Sequence, residues 1–223
     1  MVNIYVINIS DERWERYKDD DRFTRWNGVD GRQLPLEFVE QTYITMHNAR
    51  ESHKRSVAGC SESHLSLLGH IYENKIDDVI ILEDDTIIDF DRLSQLKDIK
   101  EFCYLGGHFQ SPVLKNKFCR ENISLKEGIN EIDVNHFTIA GGHGYYIPKH
   151  QIACDIYQDI MSRDKRRAID AEFRRLQKNR KKKKLLIKNF VYPAIVELYL
   201  PDAINGFTFS KAQYKLTDTK KHY

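Results

Sequence analysis

Short apolar blocks separated by polar stretches of helical length run along most of this chain. "NIYVINI" (3–9) and "VIIL" (79–82) are β-branched and too short for a buried helix, so both predict core strands. Residues 11–20 are polar and predict a helix, with Ser10 or Asp11 as its cap. "FTRWNGVDGR" (23–32) predicts a short strand stopped by turns at Asn27-Gly28 and Asp30-Gly31. Residues 58–74 place Leu65, Leu68 and Tyr72 on one side of a helix. Further strands are expected at 102–106, 145–147 and 185–196, and helices at 149–161 and 168–179. Strand–helix alternation over the first hundred residues implies a mostly parallel sheet flanked by helices. In such sheets ligands bind beyond the carboxyl ends of the strands.

Composition narrows the class. At 223 residues, with 41% hydrophobic and 30% charged residues, the chain can build one core and a well-solvated surface. No apolar stretch approaches the length of about 18 residues that a membrane span needs. "MVNIYVINIS" lacks the basic start and cleavage site of a signal peptide and reads as a first core strand. Cys60, Cys103, Cys119 and Cys154 are scattered, with no C-x-x-C pair and no His at zinc-ligand spacing, and read as free thiols of a cytoplasmic protein. "NIS" (122–124) fits the glycosylation pattern but carries little meaning without a secretory signal.

The net charge of +2 hides an asymmetry. Arg163 to Lys184 holds twelve Lys or Arg against three acids, a local net of +9 that leaves −7 for the remainder. Ile169, Phe173 and Leu176 recur at helical spacing inside this segment, so one face packs. The rest reads as a solvated helix face, with weak association to a membrane surface or an anionic acceptor as a second role. Nucleic-acid binding by phosphate neutralisation is a rival reading, although no nucleic-acid motif accompanies the charges.

The chemistry concentrates at "VIILEDDTII" (79–88), where a buried strand ends on Glu83, Asp84 and Asp85. Adjacent carboxylates repel and resist desolvation unless something neutralises them. Hard oxygen ligands there suit Mg²⁺ or Mn²⁺, with open positions for water or phosphate. A cation so held stabilises a leaving diphosphate as a Lewis acid. A solvated acidic loop with a cap at Asp91 is the alternative.

"VINISDERWER" (6–16), "GVDGRQL" (28–34), "AGCSESHLSLL" (58–68), "VIILEDDTII", "GGHGYYIPK" (141–149) and "AID" (168–170) together resemble glycosyltransferase family 25, the lipopolysaccharide- and collagen-type sugar transferases, viral ones included. The resemblance implies a single GT-A-like α/β domain: a nucleotide-binding half (1–100), an acceptor half (101–200) and a C-terminal tail (201–223). It implies a metal-dependent, inverting transfer from a nucleotide-diphospho-sugar, UDP-linked, to a glycan or glycoprotein hydroxyl. Asp85 and Glu83 would then hold the metal, with Glu83 or Asp84 also serving the ribose. Asp30 would accept hydrogen bonds from the nucleoside, or be a plain turn residue. Asn8 and Arg13 would open the nucleotide half, Arg13 either on phosphate or as an exposed helix residue.

Ser63 and His64 would contact nucleotide or donor, although a histidine at the edge of an apolar face is by default a satisfied core residue. The glycines of 141–144 allow close backbone approach to a ligand, and Gly142, His143 and His136 would border the sugar. Asp170 would be the base that takes the acceptor proton, unless it is only a helix cap. Only His222 is available as a late histidine ligand, and that ligand stays unassigned. A metal-dependent hydrolase of nucleotide diphospho compounds would use the same acids without an acceptor.

Overall fold

In chain order the elements are β1 (Asn3–Asn8), α1 (Asp11–Trp14), β2 (Phe23–Asn27), α2 (Leu36–Thr42), α3 (Glu51–Glu73), β3 (Val79–Glu83), β4 (Thr86–Ile88), β5 (Phe102–Tyr104), β6 (His108–Gln110), β7 (Gly128–Glu131), β8 (Thr138–Ala140), β9 (Gly144–Ile147), α4 (His150–Met161), α5 (Ile169–Lys178), β10 (Ile187–Tyr192) and β11 (Val196–Leu198). This computed structural model describes residues 2–44, 49–110, 126–135, 137–178, 187–192 and 194–198. Seven strands form one sheet in the order β2-β1-β3-β9-β5-β10-β7. The pairings β1–β2, β1–β3 and β5–β10 are parallel, while β9 is antiparallel to both neighbours and β7 to β10. Five strands therefore share one direction and two run against it. The fold is a mixed α/β sheet of the GT-A-like kind, flanked by helices.

The register explains the apolar run at β3. Val79 and Ile81 face one core with Leu65, Leu68 and Ile71 of α3, Ile156 and Ile160 of α4, and Phe173 and Leu176 of α5. Ile80 and Leu82 face the other, with Val6, Tyr17, Leu96, Leu105 and Val196. Because both faces are covered, every residue from Val79 to Leu82 is fully buried and the strand shows no polar alternation. The chain leaves this dry interior at Glu83. Parallel pairing brings the other carboxyl ends level with it, Ile7 opposite Glu83 and Asn8 opposite Asn27.

Three elements depart from the pattern. α3 begins at Glu51, ahead of the expected start at 58, because the turns from Glu51 to Val57 contain no buried residue and so show no apolar stripe. The polar stretch 11–20 is helical only to Trp14; Ser10 caps it as expected, accepting from the Arg13 N–H. Beyond it the chain turns, and Tyr17 enters the core with its hydroxyl donating to the Thr86 carbonyl (2.7 Å). The run 185–196 is two strands, β10 in the main sheet and β11 against β4.

Candidate active site

A cleft of about 400 Å³ opens at the carboxyl ends of β1, β2 and β3. Ile7, Ile9 and Val29 form an apolar wall, and Arg13, Asp30, Arg32, Cys60, Ser63, His64, Glu83, Asp84 and Asp85 supply its polar lining. Nearly every residue the sequence singled out in the first hundred positions meets here.

The three acids occupy three different environments. Asp84 is buried and held on every side: Asn8 Nδ2 donates to Oδ2 (2.7 Å), Arg13 to Oδ1 (2.9 Å) and Arg16 to the backbone carbonyl (2.8 Å). Glu83 faces the buried His64, its Oε1 3.2 Å from Nε2. Burial opposes the Glu83 charge, but His64, His143 and Arg13 outweigh it and hold the carboxyl below its ordinary value. Asp85 is supported only by its own backbone N–H. Its Oδ1 is buried with no hydrogen-bond partner among the described residues. Desolvation, then the charges of Glu83 and Asp84, push its pKa up to about 7, against which Arg13 acts only weakly.

α3 and the turn after β2 form the facing wall, and two glycines permit their contact. A Cβ on Gly31 would lie 2.1 Å from the Arg55 carbonyl oxygen, and one on Gly59 2.6 Å from the Gly31 nitrogen. Ser63 fastens this contact, its hydroxyl donating to the Gly59 carbonyl (2.7 Å) and accepting from the Val29 N–H (2.8 Å). Ser63 thus shapes the cleft from a buried position. Asp30 caps the next turn, accepting from the Arg32 backbone N–H (3.0 Å), and takes a two-pronged pair from the Arg32 side chain at the cleft rim. That pairing holds the Asp30 carboxyl below its ordinary value. Arg13 is neither a plain exposed helix residue nor unengaged: it lies against Asp84 with its side chain 41% exposed.

His64 is held between Tyr145, whose hydroxyl lies 2.9 Å from Nδ1, and Glu83. The glycine loop reaches this pair, since a Cβ on Gly142 would sit 3.7 Å from His64 Nε2 and 3.8 Å from Glu83 Oε1. His143 accepts the Glu83 N–H at its backbone carbonyl (3.0 Å), while its ring turns in between Gly106 and Gly141. Burial lowers its pKa. The ring therefore lies behind the loop and does not line the cleft.

Asp170 sits in the first turn of α5. The Glu172 N–H bonds to the Ala168 carbonyl, so Ala168 occupies the cap position. Glu172, fully buried, accepts from the Arg167 N–H (2.9 Å) just before the helix, and the Ser61 hydroxyl accepts the first-turn N–H of Ile169 (3.0 Å). Asp170 is half-buried and acts electrostatically on Cys60, together with Glu83 and Asp85. His136, His222, the "NIS" tripeptide and Lys181 to Lys184 lie outside the described residues.

The sequence alone made Cys60 a free thiol without a histidine at zinc-ligand spacing, and gave Tyr145 no role; the structure brings Cys60 together with His64 and Glu83. Cys60 and His64 are four apart on one helix, a spacing that puts both on one face; that was the available signal. Tyr145 gave none beyond its strand.

The sequence model of glycosyltransferase family 25 (LPS biosynthesis protein) matches residues 1–162. The chain belongs to glycosyltransferase family 25. No curated protein matches it significantly. The family match takes in the whole acidic cleft and the glycine loop and ends before Asp170, whose placement rests on geometry alone. A glycosyltransferase takes a nucleotide-sugar donor and an acceptor. No helix among the described residues is long and apolar enough to cross a membrane.

Proposed function

We propose that this family 25 enzyme transfers a sugar from a UDP-sugar to a hydroxyl of a glycan or glycoprotein, with inversion and with Mn²⁺ or Mg²⁺ held by Asp85 and Glu83. One observation carries the reading: a buried Asp85 carboxylate oxygen without a partner, in the lining of the cleft. An orphaned oxygen beside a second carboxylate is poorly placed in the apo protein and well placed around a hard cation. Such a cation would stabilise charge on the departing diphosphate.

The remaining work falls to the chain itself. Asp84 does not complete the shell; bonded to Asn8, Arg13 and Arg16, it fixes the ends of β1 and β3 to each other. Arg13 brings positive charge to the side of the cleft where a diphosphate would lie. Asp30 and Arg32 at the opposite rim are placed for the nucleoside, and Ile7, Ile9 and Val29 give its base an apolar wall. Tyr145 and His64 orient Glu83. Asp170, outside the cap position, takes the acceptor hydroxyl proton as that oxygen attacks the anomeric carbon.

A thermal-shift panel of nucleotide sugars, each with and without Mn²⁺, tests this. Stabilisation that needs both, and is largest for UDP-sugars, is the expected result. Equal stabilisation without metal would remove Asp85 and Glu83 as ligands. Sugar release at one rate with or without acceptor would make the protein a hydrolase.

A further inference from the structure

Cys60 Sγ, His64 Nε2 and a Glu83 carboxylate oxygen lie within 4.8 Å of one another on the cleft floor. His64 Nε2 and Glu83 Oε1 are already 3.2 Å apart. Bonds of about 2.0–2.3 Å to a tetrahedral ion put neighbouring ligand atoms about 3.3–3.7 Å apart. One edge of such a tetrahedron is therefore present, and Cys60 Sγ lies within 4.8 Å of both its ends, a closure left to side-chain rotation. The imidazole is oriented from behind by the Tyr145 hydroxyl at Nδ1 (2.9 Å), the arrangement that ligating histidines use. The donor set is one sulfur, one nitrogen and one oxygen, unlike the all-oxygen pair at Asp85 and Glu83.

We propose that Cys60, His64 and Glu83 form a site for a borderline transition metal of the Zn²⁺ type, which excludes the activating hard cation by taking Glu83 from it. Thiolate and imidazole favour Zn²⁺ over Mn²⁺ and Mg²⁺ both by softness and by the general order of divalent affinities. The fourth position faces the cleft and is left to water. Binding releases the thiol proton to solvent as the metal–sulfur bond forms, so zinc binds more tightly as pH rises. The site is a means of inhibition or metal sensing built into the donor cleft. It rests on the proposed function only for the identity of the cation it excludes.

The test uses the full chain with Co²⁺ as a spectroscopic stand-in and Zn²⁺ titrated against a chromophoric chelator. One Zn²⁺ per chain is expected, with a thiolate-to-cobalt charge-transfer band and tetrahedral visible bands in the Co²⁺ form. Cys60→Ser and Cys60→Ala should each fold, lose the charge-transfer band and weaken Zn²⁺ at least about tenfold. Cys119→Ser should keep both. Asp85→Asn should keep zinc affinity while losing Mn²⁺-dependent donor binding, so that failure of the zinc site and failure of the Mn²⁺ assignment give different results. An octahedral Co²⁺ spectrum without a sulfur band, or unchanged zinc affinity in both Cys60 variants, overturns the proposal.

Discussion

Asp85→Asn should stabilise the metal-free protein at pH 8 and leave it nearly unchanged near pH 4. The Asp85 carboxyl has a folded-state pKa raised to about 7, from 3.8, by desolvation and by Glu83 and Asp84, with Arg13 too weak to offset them. A raised carboxyl means that the folded state binds more protons than the unfolded one between those values. Stability is then fully present below about pH 4, falls as pH rises and levels off above about 7. Three pKa units at about 1.4 kcal/mol each give an upper bound of about 4 kcal/mol of destabilisation from the ionised carboxylate. Partial access of water to the half-buried carboxylate and the unpaired amide of Asn reduce the gain, so about 2 kcal/mol is expected. For a chain of this size that raises Tm by about 4–8 °C.

Urea or thermal denaturation of both proteins at pH 4 and pH 8, in chelator, measures the effect. Added Mn²⁺ should reverse the order at pH 8, because a ligand that binds only the folded state stabilises by mass action and the variant lacks its principal ligand. A gain of equal size at both pH values would mean that packing, not charge, is responsible. No gain at pH 8 would refute the reading of Asp85 as a desolvated, repelled carboxylate whose Oδ1 awaits a cation.

Two other substitutions separate roles. Asp84→Asn should do the opposite of Asp85→Asn, destabilising by about 2 kcal/mol in the same denaturation assay, since it weakens charge-assisted bonds from Asn8 and Arg13 in a buried setting. Asp170→Asn should fold normally and bind donor and metal, while the transfer rate falls by about 10²–10⁴ in single-turnover assays; wild-type turnover would eliminate Asp170 as the base.

β3 was legible because burial on both faces leaves an unbroken apolar run, and the position of its acids followed from where that run stops. The division of labour among those acids was not. Asp84 is fixed by Asn8 and Arg13, which are 76 and 71 residues away in the chain, and only the parallel pairing of β1 with β3 brings them together. Nothing local distinguishes Asp84 from Asp85. Asp170 is not needed as a cap, because Ser61, 108 residues earlier, accepts the first-turn N–H of Ile169 and the buried Glu172 accepts the N–H of Arg167. A polar side chain facing inward leaves no mark in an apolar stripe, and α3's exposed first two turns escaped for the converse reason.

Successive residues at the end of a strand leave the sheet in different directions, so an acidic triplet there cannot act as one ligand set. The turn from Glu83 to Thr86 is fixed by the Thr86 hydroxyl on the Glu83 carbonyl (2.7 Å). Glu83 meets α3 through His64, while Asp84 meets β1 and α1 through Asn8 and Arg13. Both attachments hold the turn rigid and place two negative charges beside the third acid. Without them Asp85 could swing to solvent and keep an ordinary pKa; with them it stays desolvated and repelled. The same contacts that fix the cleft's geometry therefore make its apo form costly, and that stored repulsion is what a cation would relieve on binding.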